Sequence, residues 1–201
     1  MYNVLRGNFL RERIPTLTNI YLCAKAGSGK TFACNYLREH YGYKQAKMAY
    51  PVYAIAQNYF QMQGKDRRLL QVIGTDVGRV QVNQDIWVNR FVEDIRIVQG
   101  TEELLKKEPR SYFVSDDVRF LNEHVALKQA GWVGIFLDVP DAIRIERLIR
   151  RDGTAQEETL NHPSESAVDS FKGELIGVDF SKSLEESYYN LEYTLKQCRI
   201  L

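Results

Sequence analysis

The chain has 201 residues, enough for one α/β domain with a substantial buried core. Its hydrophobic share of 44% and charged share of 26% are typical of a globular protein, and its net charge of +1 gives no basis for nucleic-acid or membrane partners. No apolar run reaches the length of a membrane span and the first residues contain no apolar signal core, so we expect a cytoplasmic protein.

The first quarter of the chain predicts a strand, a small-residue loop and a helix. Residues 1–17 form a mixed N-terminal arm whose structure the sequence does not decide. The apolar run Ile20–Cys23 is typical of a buried strand, and the helix after the loop is expected to end before Gly42. A short second strand is predicted over 43–48.

Residues from about 50 to 108 are predicted to be largely helical, as an insertion that covers an acceptor site. Pro51 suits the first turn of a helix, and further helices are expected over 65–77 and 85–99. Spacings of three and four mark apolar faces at Val52, Ile55, Tyr59 and Met62, and at Trp87, Phe91, Ile95 and Val98.

The second half alternates strands with helices. Strands are predicted over 111–115, 133–139 and 175–180, with helices over 118–130, from Pro140 onward, and over 184–197. Residues 152–170 are polar and are interpreted as a lid. Alternation of this kind predicts one α/β domain over 1–201, built on a parallel sheet of about five strands flanked by helices.

The loop after the first strand resembles a phosphate-binding P-loop. The P-loop pattern is Gly, four residues, then Gly-Lys-Ser/Thr, and here only the first Gly is changed, to Ala24. Its backbone N–H groups and the following helix dipole would bind the phosphates of ATP, with Lys30 at the β/γ-phosphates and Thr31 on Mg²⁺. The alternative is a Gly-rich turn with a solvated lysine. The predicted phosphate-binding residues are Ala26, Gly27, Ser28, Gly29, Lys30 and Thr31.

Two aspartates follow the third predicted strand. Asp116 is placed where a parallel sheet would present an acid beside the P-loop, so we predict that it holds the metal with Thr31. Asp117 is interpreted as the N-cap of the next helix. The alternative is that both aspartates act only as caps.

Three arginines, Arg144, Arg147 and Arg151, share a helix face that leads into the lid. Phosphoryl transfer spreads negative charge over the transferring group, and guanidinium groups stabilise it, so these arginines join Lys30 as predicted catalytic residues. A solvated amphipathic helix would also carry such arginines. In the lid itself, His162 and the pair Ser164-Glu165 are weaker candidates.

The helical insertion is rich in groups able to hold a monophosphate acceptor. Bidentate arginines suit its charge, and Gln71 and Thr75, four residues apart, are able to face a base or sugar together. Trp87 fits either stacking on a base or a place in the core. The basic candidates are Lys65, Arg67, Arg68, Arg79 and Arg90.

Two runs in this sequence resemble a known family. The run from Arg67 to Arg79, followed by Trp87, is similar to the substrate region of bacteriophage-type deoxynucleoside monophosphate kinases, and the run from Ser115 to Glu123 is similar to that family's segment after the third strand. The resemblance extends from about residue 19 to 180.

The resemblance implies a P-loop kinase fold with a helical acceptor-binding region and a lid. It also implies transfer of the γ-phosphate of ATP, with Mg²⁺, to a deoxynucleoside 5′-monophosphate, in host cytoplasm if the source is viral. The implied partners are small-molecule nucleotides, and monomer and homodimer both stay open. The implied acceptor residues are Arg67, Gln71, Thr75, Arg79, Trp87 and Arg119, with Asp116 and Arg119 near the metal and phosphates.

Two other functions remain open at this point. One is a P-loop kinase of another small phosphorylated or hydroxyl acceptor, and the other is a P-loop nucleotide switch that is not a kinase. The chain contains no Asn-Lys-x-Asp motif for reading guanine in a GTPase, and its arginine-rich lid favours transfer over switching.

Overall fold

A parallel β-sheet forms the centre of the protein. The structure, a computed structural model, describes residues 17–154, 160 and 163–201, and the sheet has the strand order β2-β3-β1-β4-β5. All four pairings between neighbouring strands are parallel, which confirms the predicted sheet. The strands are β1 (Ile20–Cys23), β2 (Lys44–Gln45), β3 (Phe113–Ser115), β4 (Val133–Asp138) and β5 (Ile176–Asp179).

Helices flank the sheet and fill the connections between strands. The middle of the chain, between β2 and β3, is helical as predicted. In the described residues the α-helices are α1 (Lys30–Tyr41), α2 (Tyr50–Phe60), α3 (Arg67–Gln71), α4 (Ile86–Leu104), α5 (Leu121–Gln129), α6 (Asp141–Asp152), α7 (Pro163–Ala167) and α8 (Leu184–Gln197).

The central strand β1 carries the candidate P-loop at its carboxyl end. Ile20 pairs with Val114 of β3 on one side, and Leu22 pairs with Ile135 of β4 on the other. Every residue of β1 is buried, because both faces of the strand are covered. The loop that follows β1 is therefore anchored to a buried strand that is paired on both sides.

Successive residues of β1 enter two different hydrophobic cores. Ile20 and Leu22 face α1 and α8, where the core includes Leu37 and Leu191. Tyr21 faces the other side, with α4 and α5. This is the alternation that a strand imposes on its side chains.

Asp117 does not cap the next helix, and that prediction is wrong. Its carboxylate accepts hydrogen bonds from the backbone N–H of Ala49 at 3.0 Å and from the Ser115 hydroxyl at 2.7 Å. Ala49 is the N-cap residue of α2, so Asp117 satisfies the start of a helix 68 residues earlier in the chain. The helix after Asp117 begins only at Leu121.

The helical insertion also departs from its apolar periodicity at two positions. Tyr59 is 79% exposed and Val98 is 40% exposed, so these residues lie outside the buried faces predicted for them. α4 also continues through Gly100 to Leu104, beyond its predicted end.

The chain between α3 and α4 is a π-helix, Val72–Val82, where a continuous α-helix was expected up to Val77. Its end carries the wide hydrogen bond from the N–H of Asn83 to the carbonyl of Gly78. A Cβ at Gly78 would overlap the indole of Trp87, so close packing against this tryptophan requires glycine. Wide turns of this kind are rare and often lie at functional sites.

Part of the predicted organisation lies outside the described residues. This applies to residues 1–16 of the N-terminal arm and to 155–159, 161 and 162 of the lid, including the candidate His162. Across the residues that are described, no helix is both long enough and apolar enough to cross a membrane.

Candidate active site

Two glycines fix the shape of the loop between β1 and α1. Gly27 has φ +83° and Gly29 has φ +91°, a region that residues with a side chain rarely adopt. A Cβ at Gly27 would also overlap the backbone carbonyl oxygen of Arg144. Ala24, in contrast, does not have a positive φ and packs into the core, so the alanine in place of the first P-loop glycine fits without strain.

Lys30 begins α1 and its ammonium group reaches back over the loop. Nζ donates hydrogen bonds to the carbonyl oxygens of Ala24 and, at 3.3 Å, of Lys25. Burial, and after it the charge of Arg119, lower the pKa of Lys30 to about 8, against the opposing effect of the Glu165 and Asp116 charges. Charged groups from the loop after β3 and from the lid therefore surround this lysine.

The lid places a carboxylate on the P-loop. Glu165 of α7 accepts a hydrogen bond from the backbone N–H of Ala26 at 2.7 Å, and the same oxygen lies 3.7 Å from Nη1 of Arg144. The Glu165 side chain is only 12% exposed. The Glu165 oxygen takes a hydrogen bond of the kind that a phosphate oxygen would take at this loop, where phosphate binding stays a prediction.

A second ion pair holds the segment after Glu165 to the same loop. Lys25 of the P-loop lies 2.8 Å from Asp169, which also pairs with Lys172 at 3.2 Å. The sequence named Glu165 only as a weak lid candidate and did not identify Asp169. A charge in the lid gives no sign of its partner, because 139 residues separate Glu165 from Ala26.

The three candidate arginines of α6 do not converge on the P-loop. Arg144 is buried beside it, with Nε donating to Asp141 at 2.6 Å and Nη1 to the carbonyl of Ala26 at 3.5 Å. Arg147 instead donates to the backbone carbonyls of Phe180, at 3.0 Å, and Lys182, at 3.2 Å.

Arg151 lies at the end of α6 and pairs with Asp152 at 2.6 Å. That hydrogen bond holds the pKa of Asp152 below its ordinary value, and the charge of Arg67 acts in the same direction. The start of α3 therefore lies across from the end of α6. Of the three arginines, the geometry places only Arg144 in contact with the phosphate-binding loop.

Asp116 is suited to the metal role predicted for it. Its side chain is 7% exposed, Oδ1 accepts from Gln45 at 3.0 Å, and Lys47 lies 3.8 Å away. Thr31, in the first turn of α1, is exposed. The described residues contain no cluster of three or more acidic, His or Cys side chains able to hold a metal. One hydroxyl and one carboxylate nevertheless fit Mg²⁺ at a nucleotide site, where phosphate oxygens and water complete the shell.

Arg79 is tied to the loop that follows β3. It pairs with the buried Glu123 at 2.6 Å, and its guanidinium lies 5.1 Å from the centre of the Phe120 ring. The other Glu123 oxygen accepts from the backbone N–H groups of Arg119, at 2.7 Å, and Phe120, at 3.0 Å. One carboxylate thus orients the guanidinium of Arg79 and the backbone that carries Arg119.

Trp87 belongs to the hydrophobic core, the alternative role for it, and the prediction that it binds the acceptor is wrong. The ring is 8% exposed, and its indole N–H donates to the carbonyl of Gly74 at 2.7 Å. It contacts Gly78 and supports the π-helix. Gln71 and Thr75 are both exposed near this helix, while Arg67 lies at the start of α3.

A cavity of about 1010 Å³ lies between the π-helix, the start of α4, and α5. Thr75 and Arg79 line it, whereas Arg67, Gln71 and Arg119 do not. Phe120 continues the lining from the loop after β3, and Ala167 and Ser170 close it from the lid side. Both of these segments lead within a few residues to the P-loop surroundings, at Arg119 and Glu165. The cavity lining is therefore only one residue from Arg119 and two residues from Glu165, which contacts the phosphate-binding loop.

Comparison with known proteins supports a P-loop kinase. No protein-family model matches the chain. A protein of Acanthamoeba polyphaga mimivirus, provisionally named a deoxynucleotide monophosphate kinase, is 28% identical over 192 residues, covering 84% of this chain and 91% of its own.

Two solved structures share the fold. A gluconokinase from Sinorhizobium meliloti superposes with a TM-score of 0.58 at 16% identity, over 93% of this chain and 95% of its own. A sugar kinase from Janibacter sp. superposes with a TM-score of 0.52 at 14% identity, over 92% and 96%. The predicted P-loop kinase fold is confirmed by these likenesses.

Proposed function

We propose that this protein transfers the γ-phosphate of ATP to the 5′-phosphate of a deoxynucleoside monophosphate and releases the two diphosphates. The observation that carries the proposal is the adjacency of two sites. The N–H of Ala26 in the P-loop binds an anionic oxygen that also lies 3.7 Å from Arg144, and the cavity lined by Thr75 and Arg79 reaches Ala167, two residues from the Glu165 that supplies this oxygen. The name of the mimiviral relative, and the similarity of 67–79 and 115–123 to phage-type kinases, support the choice of acceptor.

The donor phosphates would be held by the loop itself. The backbone N–H groups of Ala26–Thr31 and the start of α1 provide donors, and Lys30 adds a charge next to them. Arg144 is positioned to stabilise the charge that develops on the transferring group. Thr31 and Asp116 would hold Mg²⁺, which when bound neutralises charge on the β- and γ-phosphates.

The acceptor requires no general base. A phosphate monoester is already an anionic nucleophile, so the residues need only align it and neutralise repulsion between the two phosphates. Arg119 approaches Lys30 closely enough to lower its pKa, and Arg79 is oriented by Glu123 at the cavity wall. In this proposal both arginines would hold the acceptor phosphate.

The proposal is tested by ADP formation from ATP and Mg²⁺ with a panel of ribo- and deoxynucleoside monophosphates, and with gluconate as a non-nucleotide acceptor. Deoxynucleotides should stimulate turnover. Stimulation by gluconate alone would indicate a sugar-acid kinase, and ATP hydrolysis that no acceptor stimulates would indicate a switch.

Lys30→Ala is the diagnostic variant, and Lys196→Ala, in an exposed pair on α8, is its control. Loss of the charge at the donor phosphates should lower kcat by a factor on the order of one hundred or more. Normal turnover by a folded Lys30→Ala protein would contradict the P-loop assignment.

A further inference from the structure

We propose that Asp85, oriented by Asn122, reads the Watson–Crick edge of the acceptor base in this cavity and selects guanine. The proposal rests on the proposed function, because it concerns the base of the same acceptor. It assigns a specificity-determining role to a pair of residues that the sequence did not single out.

The Asp85 carboxylate does not cap the helix that follows it. Asp85 directly precedes α4, where an aspartate commonly accepts a hydrogen bond from the first turn of the helix. Its side chain makes no such capping bond. Oδ1 instead accepts from Nδ2 of Asn122 at 2.7 Å, across the gap between α4 and α5. Both residues line the cavity.

The lining suits a neutral heterocycle with hydrogen-bonding edges. Among the described residues that line the cavity, Asp85 is the only acid and Arg79 the only base, and the charge of Arg79 is matched by Glu123 behind it. Phe120 adds an aromatic ring to the lining, and four amide side chains share the cavity with the acid: Gln84, Asn89, Asn122 and Gln129. A phosphate or a sugar acid at this end would be repelled by Asp85, whereas a base would find donors and acceptors.

The cavity also lies at the right place along the chain for a base. Arg119 directly precedes Phe120 of the lining, and Asn122 is three residues after Arg119, so the backbones of Arg119 and Asn122 are at most about 10 Å apart. A nucleotide with its phosphate at Arg119 would therefore have Asn122 and Asp85 within reach of its base.

The chemistry of a carboxylate distinguishes the four bases. An ionised carboxylate only accepts hydrogen bonds, and each oxygen accepts more than one. Guanine presents N1–H and the N2 amino group side by side, so it donates to both oxygens. Adenine and cytosine present one amino group beside a ring nitrogen acceptor, and thymine presents one N–H between two carbonyls, so each places an acceptor against the carboxylate. By fixing Asp85, Asn122 favours the base with two adjacent donors.

The test compares dGMP with 2′-deoxyinosine 5′-monophosphate, which lacks only the N2 amino group, as acceptors. We expect wild-type kcat/KM to be about tenfold or more higher for dGMP, the loss expected for a hydrogen bond to a charged group. In Asp85→Asn, kcat/KM for dGMP should fall about tenfold to a hundredfold and the ratio between the two acceptors should approach one. Asp94→Asn, on the same helix in an exposed pair with Arg90, should retain wild-type values.

The outcomes separate this proposal from the one on which it rests. If the wild type phosphorylates no nucleoside monophosphate, the proposed function fails and the base assignment fails with it. If the wild type is active but Asp85→Asn keeps the same acceptor ratio, only the assignment of Asp85 is overturned. The wild-type ratio needs no variant, so a value near one overturns the guanine assignment even where Asp85→Asn does not fold. Asn122→Ala, which frees Asp85, should also lower the ratio, and an unchanged ratio would contradict the orienting role.

Discussion

Replacement of Glu165 by glutamine should tighten ATP binding. In the structure, the Glu165 carboxylate occupies the backbone N–H of Ala26, a group that a donor phosphate needs. A phosphate and this carboxylate therefore compete for the same donor. Glutamine keeps the size and the carbonyl oxygen of the side chain but removes the negative charge.

The size of the effect follows from the contacts that change. A hydrogen bond to a charged group contributes about 1.5–3 kcal/mol, and a neutral one about 0.5–1.5 kcal/mol. Glu165 makes one such bond, and the 3.7 Å approach to Arg144 adds a smaller attraction. Loss of the charge should thus weaken the contact by about 1–1.5 kcal/mol, which corresponds to roughly five- to tenfold tighter binding of ATP.

Titration calorimetry with ATP and Mg²⁺ measures this directly. Glu146→Gln is the matched control, because Glu146 is an exposed residue of α6 that pairs only with Arg150 among its described contacts. Its affinity for ATP should equal that of the wild type. Weaker ATP binding by Glu165→Gln would refute the reasoning, since it would show that the carboxylate supports the nucleotide-bound site.

Three further predictions follow from individual residues. ATP affinity should weaken as pH rises through about 8, approaching tenfold per pH unit, because Lys30 loses its proton there. The measurement is the dissociation constant of ATP, determined by titration from pH 6.5 to 9.5. In Lys30→Arg, which stays charged, this constant should depend less on pH. Gly27→Ala should lower the free energy of unfolding, measured in urea, by at least about 2 kcal/mol, because the new Cβ would clash with backbone at a position where φ is already positive. Gly42→Ala has the positive φ without the clash and should lower it by about 1 kcal/mol. Equal losses in the two variants would contradict this reasoning. Arg79→Met should cost about 3 kcal/mol in the same assay because it leaves a buried carboxylate unpaired, and Arg90→Met in an exposed pair under about 0.5 kcal/mol; a similar loss in both would refute the distinction.

The sheet and the P-loop were predictable because their signals are local. Ile20–Cys23 is apolar throughout, since a central parallel strand is covered on both faces, and its bounds were predicted correctly. The glycines of the loop indicate a backbone conformation that other residues rarely adopt, and Gly27 and Gly29 do have positive φ. Such features depend on neighbours in the sequence, so the sequence alone reveals them.

The partners of charged side chains were not predictable in the same way. Asp117 was expected to cap the helix next to it and instead bonds to Ala49, while Glu165 reaches Ala26 from the lid. The hydrogen-bond partner of each side chain depends on which elements the fold brings together. A local sequence pattern contains no information about such distant contacts. Trp87 shows the same limit, because an aromatic residue on an apolar helix face has the same sequence signature in a core as beside a ligand.

The start of α5 is the clearest case in which a missed detail affects the candidate site. The sequence predicted a helix from Val118, but the chain stays non-helical until Leu121. Because of this delay, the N–H groups of Arg119 and Phe120 are available to one oxygen of Glu123, while its other oxygen holds Arg79. A short non-helical segment therefore joins Asp116, which follows β3, to the wall of the cavity within seven residues. Because α5 begins only at Leu121, Glu123 is its third residue, the position from which a side chain reaches back to the N–H groups that precede a helix. The irregular segment itself thus ties the loop after β3 to the cavity wall.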